Sequence, residues 1–189
     1  IMASLGALEC IRTGNTTVAE VAHNIQSYAK DLANAGLRLV FGESIADGVV
    51  SEDYRPGELV SDFSDRLMDQ GLETVHDLFT AWNNHHSGRI SCIGAAQLVE
   101  TSSPKLLHNV RDLADKYDVP YTIHLGQSPL EVQSLLQMWG VRPARYLFDQ
   151  DFLSPHLIAA HCRYLDTSEV NLMGKTGSGV SHQPAMAAR

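Results

Sequence analysis

Tyr121-Thr122-Ile123-His124-Leu125-Gly126-Gln127-Ser128 is a short apolar run that delivers a histidine to its end and then breaks at glycine. β-Branched and aromatic residues over positions 119–123 favour a strand, Pro120 is tolerated near its start, and Ser128-Pro129 opens a helical pattern. His124 therefore marks a handover from strand to helix, the edge at which parallel α/β folds place ligands and chemistry. Leu157-Ile158-Ala159-Ala160-His161-Cys162 repeats the pattern one βα unit further on. Two strands of one presumed sheet thus end in histidine, and neutral imidazole is the commonest nitrogen ligand of catalytic metals.

Outward from this pair the chain alternates strand and helix. Met2–Arg12 carries Leu5, Leu8 and Ile11 on one helical face and is closed by Gly14. Residues 15–18 predict a short strand, 19–35 a helix stopped by Gly36, and 37–42 a buried strand. The polar segment 43–55, ending at Pro56-Gly57, reads as a long loop at a strand end, where active-site loops belong. Residues 58–70 and 72–83 predict a pair of helices with Gly71 between them. A strand over 89–94 follows, then helices over 103–117, 130–139, 142–148 and 167–175, with a last strand over 179–182.

About six strands result, near Thr17, Val40, Ile93, Ile123, Ala160 and Val180, and repeated βα units force them to be parallel with right-handed crossovers. A glycine-rich phosphate fingerprint after the first strand would favour a doubly wound sheet, but residues 15–20 have none. The predicted fold class is α/β, a (β/α)8 TIM barrel incomplete in this chain, with its first and last strands missing.

With 189 residues, 44% hydrophobic and 19% charged, the chain suffices for one domain with a substantial core. A net charge of −8 with only 14 scattered Lys and Arg argues against nucleic acid and anionic membranes as partners. No apolar run of about 18 residues and no signal peptide is present, so the cytoplasm is the expected setting. Cys10, Cys92 and Cys162 are odd in number and far apart, as reduced core residues would be. Neither Ile1 nor Arg189 carries the turn chemistry of a domain boundary, and a piece of a longer protein is expected.

Each other candidate has an ordinary alternative. His85 and His86 sit in a polar stretch that reads as a solvated helix end, and His23, His76, His108 and His156 read as surface or core residues away from strand ends. Glu20, Glu43, Asp47 and Glu100 lie near strand ends; any could be a base, though a solvated loop acid is the commoner outcome. Gln97, Gln127 and Gln183 fall just past strand ends, where an amide can orient a substrate but cannot take a proton at neutral pH. Cys162 follows His161 and is expected to point to the opposite face, which argues against a nucleophilic thiol.

His124-Leu125-Gly126-Gln127-Ser128, Glu131-Val132, residues 140–147 from Gly140 to Leu147, Ala160-His161-Cys162-Arg163-Tyr164-Leu165-Asp166 and Gly179-Val180-Ser181-His182-Gln183-Pro184 together resemble the amidohydrolase superfamily. The similarity is greatest to the branch of cytosine, guanine and chlorotriazine deaminases and hydrolases, whose Gly-Thr-Thr-Thr strand resembles Gly14-Asn15-Thr16-Thr17-Val18. The resemblance implies a divalent metal, zinc foremost and iron as the alternative, held by a first-strand His-x-His, a fifth-strand histidine and an eighth-strand aspartate. By position His124 is then the fifth-strand metal ligand, and His161 the sixth-strand histidine that hydrogen-bonds substrate or activated water. The metal lowers the pKa of its water, and the hydroxide attacks an electron-poor carbon while the leaving amine is protonated.

Two departures shape the expectation. The branch usually carries His-x-Ala-Glu, whose glutamate shuttles a proton, where this chain has Gln127; His182-Gln183-Pro184 replaces the usual His-Asn-Pro. Gln127, His161 and His182 are therefore the candidate substrate contacts, with His161 and Gln127 as the catalytic pair, and an eighth-strand aspartate becomes the alternative base. The first and eighth strands and the small β domain of the termini are absent, so residues 1–189 read as the central part of a barrel domain, inactive alone. A homodimer is the assembly the branch suggests. Two rival readings stand beside the hydrolase: a silent or truncated paralogue that binds without turnover, and a metal-free barrel with structural histidines.

Overall fold

A computed structural model describes residues 2–51, 53 and 59–184. Helix α1 (Met2–Arg12) leads into strand β1 (Thr17–Ala22), a 3₁₀ turn at Ile25–Ser27 and helix α2 (Ala29–Asn34). Strand β2 (Arg38–Glu43) is followed by a two-residue ribbon of Gly48–Val49 with Asp62–Phe63, then helix α3 (Asp65–Trp82). Ile90–Cys92 and Gly94–Leu98 form one line interrupted at Ile93, taken together as β3. Helix α4 (Pro104–Tyr117), β4 (Tyr121–Leu125), α5 (Pro129–Trp139), α6 (Pro143–Asp149), β5 (Leu157–His161), α7 (Thr167–Thr176) and β6 (Gly179–Ser181) complete the chain.

Every strand pairs in parallel with its sequence neighbour. The first half of β3 pairs with β2, and its second half pairs with β4. The line of β2 continues to Ile45, which bridges to Ala96, so the two hydrogen-bonded sheets form one curved surface. Strand order thus follows chain order with no switch point, the winding of a (β/α)8 barrel and not of a doubly wound sheet. The six expected strands are all found.

Alternation sorts the side chains. Leu39, Phe41, Ile90, Ile123, Leu125, Leu157 and Ala159 point outward, are at most 1% exposed, and form the core against the helices. The opposite residues, among them Val40, Thr122, His124 and Ile158, face the concave side.

Three expectations need correction. Residues 19–22 are strand, not helix: Ala and Glu read as helical locally, but pairing with β2 runs to Ala22↔Glu43. Gly71 does not divide the segment into a pair of helices; α3 runs through it, and the missing side chain lets the helix press close on that strand end, where a Cβ would lie 3.0 Å from Ile45. The helix expected from 58 begins only at Asp65, because Asp62–Phe63 pairs with Gly48–Val49 as a ribbon; residues 54–58, where the long loop was expected to close, lie outside the described residues.

Candidate functional site

The concave face of the sheet encloses a cavity of 770 Å³ lined by His124, Gln127, His161, Ser181 and Gln183 together with apolar strand residues. His124 reaches it by simple alternation from Thr122. Its orientation is fixed by an irregularity in β3: the register slips between Ala95 and Leu98, and this bulge turns the Gln97 carbonyl toward the imidazole. His124 Nδ1 lies 2.6 Å from that oxygen. A carbonyl only accepts, so Nδ1 carries a proton, and in the neutral ring Nε2 is then the nitrogen with the lone pair. A backbone acceptor on one ring nitrogen that frees the other is the usual support of a metal-ligating histidine.

His161 arrives differently. It pairs with Leu125, an outward residue, so alternation alone would aim it away from the cavity. Instead its φ is 73°, and the Cys162 N–H donates back to Ala160 O at 3.2 Å, closing a three-residue γ-turn. Such a backbone costs about 1–3 kcal/mol and tends to persist where function needs it. The turn swings the ring beside His124, with centroids 5.4 Å apart and planes inclined by 27°. Burial first, then the neighbouring His124 and Arg163, lower the His161 pKa from its ordinary value, which favours the neutral imidazole.

Gln127 is half-buried on the cavity wall. His182 follows β6, is exposed, and is not among the lining residues; Gln183 is, its amide donating to Ser181 Oγ at 2.9 Å.

One histidine read as lying away from strand ends does not. His23 stands immediately after β1, at the same end of the sheet, and its Nε2 accepts from the Gln97 side-chain amide at 2.9 Å. The misassigned helix over 19–35 hid it; reading Val18 to Ala22 as a strand would have exposed it. His85 and His86 are exposed, as expected of a solvated helix end; His85 meets the Trp82 ring edge-on and His86 meets His85 in the same way.

The loop acids are largely not solvated. Glu43 accepts from the N–H groups of Asn24 and Ile25, Asp47 from Ser103 N–H and hydroxyl, and both are buried. Glu100 is buried with one oxygen lacking a hydrogen bond, and burial raises its pKa. Glu20 leaves the cavity altogether and accepts from the Tyr28 hydroxyl on the outer face. Cys162 is half-buried, and desolvation, with Glu131 and Glu169 adding, pushes its thiol up to about 12.

Among the described residues no three His, Cys, Asp or Glu side chains are gathered to hold an ion. His124, with Nδ1 committed to a carbonyl, could serve as one ligand of a set. No described helix is long and apolar enough to cross a membrane.

Residues 1–188 match the family model described as Amidohydrolase family. A 5-methylthioadenosine/S-adenosylhomocysteine deaminase of Syntrophobacter fumaroxidans is 33% identical over 180 residues, covering 95% of this chain and 38% of the relative. A 5'-deoxyadenosine deaminase of Methanopyrus kandleri is 31% identical over 182 residues, 96% of this chain and 39% of the relative. The crystal structure of a zinc-bound adenosine deaminase from Xanthomonas campestris superposes with a TM-score of 0.79 at 25% identity, covering 96% of this chain and 38% of that one. The chain thus spans under two fifths of the length of these proteins.

Proposed function

The chain belongs to the amidohydrolase family, and from that premise we propose that its protein hydrolyses a C–N bond of a small, cyclic, amine-bearing substrate with water activated on a divalent metal, zinc foremost. The observation that carries this reading is His124: a cavity-facing imidazole with Nδ1 bound to a carbonyl and Nε2 free. Deaminases among the relatives and a zinc-bound structural neighbour support the reaction class and the metal.

When bound, such an ion supplies Lewis acidity, making water a nucleophile at neutral pH. His124 Nε2 is its ligand from this chain. His161, neutral and beside the site, accepts the proton that attacking water loses and returns it to the departing amine as ammonia. Gln127 donates through its NH₂ and accepts through its oxygen, which orients a ring nitrogen without exchanging its proton. His182 at the rim and Gln183 inside complete the substrate contacts. A homodimer is proposed for the assembly.

The test is ammonia release by the full-length protein across 5'-deoxyadenosine, 5-methylthioadenosine, S-adenosylhomocysteine and guanine, each beside an analogue lacking the amino group. Turnover of one or more amines supports the reading. Binding without turnover across the panel favours the rival that Gln127 motivates, a silent paralogue.

A further inference from the structure

The strained turn that aims His161 hangs on the end of β4. Cys162 N–H donates to Leu125 O at 2.7 Å, and Arg163 and Tyr164 N–H both donate to Gly126 O at 3.0 and 2.9 Å. The same stretch is gripped from behind by one side chain: Glu131 Oε1 accepts from Gly126 N–H at 2.7 Å, and Oε2 from Gln127 N–H at 2.8 Å. Glu131 sits in the first turn of α5, is 1% exposed, and does not line the cavity.

These contacts fall on two peptide planes. Leu125 C=O and Gly126 N–H share one rigid trans unit, and Gly126 C=O and Gln127 N–H share the next, so donor and acceptor of each point opposite ways. Glu131 holds the donor side of both planes, and the His161 turn hangs from the acceptor side of both. We infer that Glu131 is a positioning residue that fixes the aim of His161 and Gln127 together without touching the substrate. Burial and the nearby Glu100 raise the pKa of its carboxyl, and the two N–H donors, which favour the ionised form that accepts from both, pull it back. Those donors are its compensation for lost water, and it is theirs.

The kinetic arm of the test rests on the proposed function; the exchange arm does not. Glu131→Gln keeps the volume but turns one accepting oxygen into an NH₂ facing an N–H. In the full-length protein, amide hydrogen exchange at Gly126, Gln127, Cys162, Arg163 and Tyr164 should quicken by about tenfold or more, the equivalent of about 1.4 kcal/mol. Amides of α4 should change by less than about twofold, kcat should fall by about tenfold, and KM should hold. Glu131→Asp should lie between, and it serves if the first variant fails to fold. Quickening confined to Gly126 and Gln127 overturns the coupling to His161, and an unchanged kcat with all five amides quickened overturns the positioning role. A wild type without turnover would refute the proposed reaction while exchange still decides the coupling.

Discussion

His124 and His161 come from adjacent strands, and their rings lie 5.4 Å apart although strand pairing sets His161 opposite Leu125, not His124. One reaches the cavity by alternation and the other by a backbone turn. Replacing His161 by Ala should therefore remove a proton carrier and leave the ligand His124 in place: kcat falls by about 10²-fold or more, with metal content unchanged. Steady-state kinetics with metal analysis of the same sample checks this, and joint loss of metal would mean that His161 is a ligand.

Gln127 predicts a gain. Gln127→Glu puts a carboxylate on the cavity wall at the same length, and ammonia release should rise by about tenfold or more, within the usual range for a positioned acid or base. An unchanged rate would leave the proton with His161 alone.

Cys162 predicts indifference. Its thiol is raised to about 12, so it is protonated below that pH, and only about 10⁻⁴ of it is thiolate at pH 8. Cys162→Ser should hold kcat within about twofold, and the pH–rate profile should lack a thiol limb between pH 7 and pH 9. Iodoacetamide inactivation tracking Cys162 would contradict both.

The strand framework was legible because β2, β4 and β5 are short apolar runs, and both histidines end such runs. What escaped is tertiary. The span from Ala19 to Ala22 reads as helix until its partner β2 is known, which concealed the position of His23 at a strand end. Gly71 reads as a stop until Ile45 is seen pressing on it. The Gln97 carbonyl and the donors held by Glu131 are main-chain groups, which no residue pattern announces. His161 was placed by its strand end, yet the γ-turn that aims it could not be read from Ala160-His161-Cys162.

Gly126 carries a stability prediction. Its φ is +58°, and a Cβ there would lie 2.9 Å from Leu165 Cδ2. Gly126→Ala should cost about 1–3 kcal/mol, seen as a fall in Tm of about 2–4 °C for each kcal/mol. It should also disturb both peptide planes that hold the His161 turn. A Tm and kcat equal to wild type would show that the segment relaxes freely.

The most direct test is metal content of the full-length protein, wild type against His124→Ala, with ammonia release measured before chelation, after it, and after zinc is restored. The account predicts about one divalent ion per chain in the wild type, activity lost on chelation and recovered with zinc, and neither metal nor recovery in the variant. Undiminished turnover without metal, or full metal retention in His124→Ala, would contradict it.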